Sequence, residues 1–180
     1  MIMSPKFLSS ASRHLGFERL KIVLTISLGL VFAACFAASA FGQMPNPYGP
    51  GVTLEEAKKV AEPALAEARK NGWTVAVAVV DPSGNLVYYE KMDNTQLGSA
   101  TVAIDKARSA ALFKRPTKAF QDALASGPDG ARVLSLHGAT PIEGGIPLLS
   151  EGKIVGAIGV SGAASAQDAQ CAKAGADTLK

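Results

Sequence analysis

The sequence predicts an α+β domain in which an antiparallel β-sheet of about four to five strands is flanked by helices. Two pairs of short apolar runs are each joined by a tight turn, and strands joined in this way form antiparallel hairpins. Helix signals precede, separate and follow these pairs, so the predicted order is α-β-β-α-α-β-β-α. The 180 residues suit one domain and little more.

Residues 1–43 are predicted to be an export signal. Basic residues precede a long uncharged run, and they are Lys6, Arg13, Arg19 and Lys21. The run extends over 22–40 and ends in Ala38-Ser39-Ala40, a pattern typical of a signal peptidase site. Cleavage near residues 40–43 would give a periplasmic or extracellular protein with no stable membrane anchor. A retained N-terminal anchor and a lipoprotein modified at Cys35 are the alternatives.

Removal of this signal changes the charge and the reactive side chains of the protein. The signal carries four of the 18 Lys and Arg residues and one of the 15 Asp and Glu residues, which leaves 14 of each. A neutral domain gives no support for a nucleic-acid partner. His137 and Cys171 remain as the single histidine and the single cysteine, so the mature sequence excludes an internal disulfide and a structural zinc site.

The first half of the domain is predicted to contain one helix and one hairpin. Residues 44–52 are rich in Pro and Gly and are expected to form a flexible lead-in before a domain over 53–180. Thr53 and Glu56 form a capping box, which predicts a helix over 54–71. Strands are then expected at 73–80 and 86–92, around a turn at 81–85.

The second half repeats this pattern around a long loop. Helices are expected at 99–113 and from Thr117 to about residue 124, followed by a loop over 126–145. Two more strands are predicted at 146–150 and 153–160. A second capping box, Ser165 to Asp168, predicts the last helix.

Three features are candidates for ligand binding. Lys106 lies among apolar residues of the second helix, and an inward-pointing lysine needs an anionic partner, such as the carboxylate of a ligand. His137 offers an imidazole that can ligate haem iron or act as a base. A Gly-Gly-Ile-Pro stretch exposes backbone N–H groups to a flat or anionic ligand; it comprises Gly144, Gly145, Ile146 and Pro147.

The glycines of 156–162 do not form a nucleotide-binding motif. Their G-x-x-G-x-x-G spacing differs from the dinucleotide fingerprint, and they lie within a predicted strand. We interpret them as positions where a helix packs closely on the sheet. Ser161 lacks the second glycine of a nucleophile elbow, because residue 163 is alanine. No complete catalytic motif is present.

The ordered set of motifs resembles the GlcG/HbpS-like family of haem-degrading or haem-binding proteins. The matching stretches are 54–57, 77–84, 92–93, 105–107, 116–117, 144–147, 155–162 and 167–168. The resemblance implies a PAS/profilin-like shape, homo-oligomers, and a link to haem and iron. Some related domains bind haem through a histidine on the first helix, and the helix predicted at 54–71 has none.

The leading hypothesis is therefore an exported haem-binding protein concerned with haem or iron handling or sensing. Its cleft would lie between the second helix and residues 144–147, with Lys106 meeting a haem propionate and His137 meeting the iron. A protein or enzyme that binds a small organic acid in the same cleft is the first alternative. An oligomerisation module without catalysis is the second.

Overall fold

The computed structural model describes residues 44–179 and confirms the predicted fold class. The helices are α1 (Leu54–Lys70), α2 (Ser99–Leu112), α3 (Lys118–Ala125), a 3-10 helix (Pro128–Ser135) and α4 (Ser165–Ala176). The strands are β1 (Ala76–Val80), β2 (Leu86–Lys91), β3 (Gly145–Ser150) and β4 (Lys153–Ser161). The predicted order of elements is correct, and the 3-10 helix is an addition within the expected loop.

The four strands form one antiparallel sheet in the order β2-β1-β4-β3. Every residue of β1 is buried, because helices cover both of its faces. Val77 and Val79 face α1 and α4, whereas Ala76, Ala78 and Val80 face α2. Alternate side chains of a strand point to opposite faces, so an unbroken apolar strand indicates a sheet covered on both sides.

Helix α1 begins at the capping box that the sequence predicts. The Thr53 hydroxyl accepts a hydrogen bond from the Glu56 N–H at 3.2 Å, and Glu56 Oε2 accepts one from the Thr53 N–H at 2.8 Å. The helix continues through Pro63 and is followed by Gly72, whose φ of 70° is a conformation that glycine adopts without strain.

The start of α4 differs from its prediction. The N-cap residue is Ala164, one position before the expected Ser165, and alanine has no side-chain acceptor. Only one half of the capping box remains, in which Gln167 Oε1 accepts a hydrogen bond from the Ala164 N–H at 3.0 Å. Asp168, in the first turn of this helix, is buried.

Residues 44–52 differ from the expected flexible lead-in, because the folded domain holds them by hydrogen bonds. The Gly49 and Val52 N–H groups donate to the carbonyls of Ile154 and Val155 at 2.9 and 2.8 Å. The Tyr48 hydroxyl donates to the Ala111 carbonyl at 2.9 Å. The segment therefore lies beside the first residues of β4 and ties them to the end of α2.

The predicted export signal and its Ala38-Ser39-Ala40 site lie outside the described residues. Between residues 44 and 179, the structure contains no helix that is long and apolar enough to cross a membrane.

Candidate functional site

The cleft predicted between α2 and residues 144–147 is closed. The backbone of α2 lies directly on two glycines of the sheet, Gly145 and Gly159. A Cβ atom on Gly145 would overlap the Lys106 carbonyl oxygen and lie 2.7 Å from Thr117 Cγ2. On Gly159 it would overlap the Ala103 carbonyl oxygen. The glycines thus provide close helix–sheet packing at these two positions.

Lys106 points inward, as its apolar neighbours suggested, and its anionic partner belongs to the chain itself. Its side chain is 1% exposed, and Nζ donates to Asp168 Oδ2 at 2.8 Å and to the Val160 carbonyl at 3.0 Å. The ammonium group is therefore already paired. Its predicted role towards a ligand carboxylate stays a prediction, and such a role would require this pair to open.

Asp168 is the residue that the sequence reasoning missed. Besides its bond to Lys106, its Oδ1 accepts a hydrogen bond from the Ala163 N–H at 3.0 Å. Burial raises the pKa of Asp168 above its ordinary value, against the opposing effects of the Lys106 ammonium and the N–H groups of Ala163 and Gly162. The sequence places Asp168 in a capping motif, and no local pattern links it to a lysine 62 positions away.

The Gly-Gly-Ile-Pro stretch forms the other side of this buried polar cluster. The Gly145 N–H donates to Thr117 Oγ1 at 2.9 Å, and the Thr117 N–H donates to the Gly145 carbonyl at 3.0 Å. Gly144 has a φ of 124°, and a Cβ atom there would lie 2.9 Å from Lys106 Nζ. The structure therefore brings Lys106, Gly144 and Gly145 together, as parts of a packed interior.

The remaining predicted residues lie apart from that cluster. Ile146 is half-buried and Pro147 is buried, both on β3. His137 is exposed in the loop after the 3-10 helix, and among residues 44–179 no hydrogen bond or ion pair engages it. The same part of the chain contains no group of three or more His, Cys, Asp or Glu side chains that could hold a metal ion.

An open cleft of about 590 Å³ lies elsewhere, between residues 48–51, the β1–β2 turn and the end of α2. Its lining residues are Tyr48, Gly49, Gly51, Asp81, Pro82, Ser83 and Leu112. Burial raises the pKa of Asp81, but hydrogen bonds from Asn85, Ser83 and Gly84 outweigh it and hold the pKa below its ordinary value. No sequence pattern predicted this cleft, because its existence depends on the docking of residues 44–52.

Comparison with known proteins identifies the family. A family model described as haem degrading protein HbpS-like matches residues 52–177, and the chain belongs to this HbpS-like family. Protein GlcG of Escherichia coli K12 is 42% identical over 95 residues, which cover 53% of this chain and 69% of GlcG. The resemblance seen in the sequence motifs is thus confirmed.

Solved structures agree with this assignment. A double mutant of Streptomyces reticuli HbpS is 35% identical, with a TM-score of 0.66 over 73% of this chain and 89% of HbpS. A PduOC:Heme complex, at 22% identity, has a TM-score of 0.65 over 72% of this chain and 96% of its own. That second likeness concerns the fold alone.

Proposed function

We propose that this chain is an exported haem-binding protein of the HbpS-like family that takes part in haem or iron handling. The family match over residues 52–177 carries the proposal. A protein of the same fold forms a haem complex, which supports the view that the fold can hold this group. Bound haem would supply a redox-active iron centre.

Of the candidate residues, His137 is free to contact haem, whereas Lys106 is already paired within the chain. His137 presents an exposed imidazole with no partner among the described residues, so its nitrogen is available to iron. Lys106 could meet a propionate only if its ion pair with Asp168, at 2.8 Å, opened. We therefore place haem at the surface near His137 and away from the interface between α2 and the sheet.

Haem added to the protein, purified from cells that express the full chain, should produce a Soret band that saturates at micromolar concentrations. His137→Ala should shift the band maximum and weaken binding about tenfold or more, because the variant removes the proposed iron ligand. The measurement is an absorption titration with haem.

Arg69→Gln, at an exposed side chain on α1, is the control for an unspecific surface effect, since the proposed cleavage removes the other histidine, His14, with the signal. It should leave the titration unchanged. An unaltered Soret spectrum in His137→Ala would rule out His137 as the ligand, and an unchanged absorption of the wild-type protein up to tens of micromolar haem would reject the haem function.

Export and self-association complete the proposal. The basic residues before the uncharged run 22–40 support export. The edge strand β2 and the exposed side chain of Leu97 offer surface for a second copy. We expect an N-terminus between residues 41 and 44 and a mass above that of one chain, measured by mass spectrometry and light scattering. A full-length N-terminus would argue against cleavage, and a monomer mass against association.

A further inference from the structure

The two edges of the sheet, formed by β3 and β2, differ in their capacity to pair with a further strand. In β3, the Gly144 carbonyl accepts a hydrogen bond from the Val160 N–H and so faces β4. Alternate residues of a strand turn their backbone groups to opposite sides, so Gly145 and Pro147 face outward. Thr117 bonds both backbone groups of Gly145, and Pro147 has no N–H to donate. The β3 edge is therefore largely closed to another strand.

The edge formed by β2 has unused backbone groups. Directly after β2, the Met92 N–H donates to the Val75 carbonyl at 3.0 Å, so Met92 faces β1. By the same alternation, the backbone N–H and carbonyl groups of Tyr89 and Lys91 point away from β1. Among residues 44–179, these groups have no hydrogen-bond partner. Strand β2 also lacks Pro and Gly, so its outer side can form a regular ladder with another strand.

The side of β2 that faces the α2 layer is only partly covered. Helix α2 packs over β1, β4 and β3, and β2 lies beside it. Tyr89 and Ile104 are half-buried at the margin of the alanine cluster between α2 and the sheet. Leu86, at the start of β2, is 45% exposed. A strand placed beside β2 would therefore bury apolar surface in addition to pairing the backbone.

We propose that β2 pairs antiparallel with β2 of a second copy of this chain, with Tyr89 opposite Tyr89 of that copy. A twofold axis perpendicular to the sheet keeps the α2 layers of both copies on one side. The outward backbone groups of the two Tyr89 residues then exchange two hydrogen bonds, and the two sheets become one of eight strands. This inference rests on the proposed self-association and names its surface.

The side chains of β2 favour this register over its neighbours. With Tyr89 at the axis, Glu90 lies opposite Tyr88 of the second copy. The Tyr88 hydroxyl already donates to Glu90 Oε2 at 2.5 Å within one chain, so the two groups are chemically matched. An axis at Glu90 would place two carboxylates opposite each other, and an axis at Tyr88 would place Glu90 opposite the apolar Leu86.

Charged residues at the axis test this arrangement. Tyr89→Lys and Tyr89→Glu each place two like charges opposite one another, so each variant alone should have at most half the mass of the wild-type assembly. An equimolar mixture of the two should recover the wild-type mass, because lysine then lies opposite glutamate. Light scattering of protein purified from cells that express the full chain measures the mass, and melting curves verify folding. Ser150→Lys, on the opposite edge strand β3, is the matched control and should keep the wild-type mass.

A cysteine at the axis provides an independent measurement. The Cβ atoms of directly opposite residues in an antiparallel pair are about 5 Å apart, so a short bis-maleimide should link Tyr89→Cys into covalent dimers. Ser150→Cys should stay a single chain under the same conditions. The native Cys171 is buried and does not compete for the reagent.

The results separate this surface from the proposed function. Loss of mass in both charge variants, its recovery in the mixture and cross-linking of Tyr89→Cys support the pairing of β2. If the wild type associates but the charge variants keep its mass, the mixture fails to recover it or no cross-link forms, this pairing is wrong while self-association stands. If the wild type is a monomer, both are wrong, and the β2 edge is left to a different partner. The haem titration reports on the haem function independently of all these outcomes.

Discussion

Asp168→Ala should lower the free energy of unfolding by about 3–5 kcal/mol, the range expected when one partner of a buried ion pair is removed. The side chains of Lys106 and Asp168 are 1% and 3% exposed, so neither charge can recruit water after the other is lost. The Lys106 ammonium would keep only the Val160 carbonyl as a partner. A buried charge with so little compensation is costly.

The double variant Lys106→Met/Asp168→Leu separates the pair from its individual charges. Exchanging a whole buried pair for apolar residues is often neutral, because no charge remains to be desolvated. We expect the double variant to unfold closer to the wild type than Asp168→Ala does, in urea titrations. Lys173→Met breaks an exposed pair with Asp177 and should cost less than about 1 kcal/mol. Equal losses in Asp168→Ala and Lys173→Met would contradict the assigned role.

The pH dependence of stability has a defined sign at this position. Because burial raises the pKa of Asp168 in the folded state, the folded protein binds this proton more readily than the unfolded chain does. The contribution of Asp168 to the free energy of unfolding should therefore increase as pH falls from the raised pKa towards the ordinary carboxyl value. The neutral acid, unlike alanine, still accepts hydrogen bonds from Lys106 and from the Ala163 N–H. Subtracting the pH profile of Asp168→Asn from that of the wild type isolates this contribution.

Most of the fold could be predicted because its signals are local. The α1 capping box needs only Thr53 and Glu56, and each hairpin is specified by a turn between two apolar runs. The 3-10 helix and the docking of residues 44–52 had no comparable local signal. The latter depends on carbonyls about 100 positions along the chain, such as that of Ile154.

The candidate site was harder to predict, because its contacts join distant segments. The sequence showed that an inward Lys106 needs an anion, and a ligand carboxylate was the predicted source. In the structure Asp168, in the first turn of α4, supplies that anion. The glycines at 144 and 145 were noticed for their accessible backbone, yet their lack of a side chain serves packing.

Gly159→Ala tests this close packing and should cost about 3 kcal/mol or more in the free energy of unfolding. The added methyl group would overlap the Ala103 carbonyl oxygen and lie 2.5 Å from the Ala107 nitrogen. Both are backbone atoms of a rigid helix, so α2 must move away from β4 to make room, with loss of the contacts that bury its alanines.

Gly98→Ala is the matched control for this change. A Cβ atom at Gly98 would meet nothing within 4 Å, and its φ of −63° suits alanine, so its unfolding free energy should change by less than about 1 kcal/mol. Thermal and urea unfolding of both variants supply the comparison. If Gly159→Ala were as stable as Gly98→Ala, α2 would have room to separate from the sheet. The space between α2 and β3 would then be available to a ligand, and Lys106 could bind a carboxylate of that ligand.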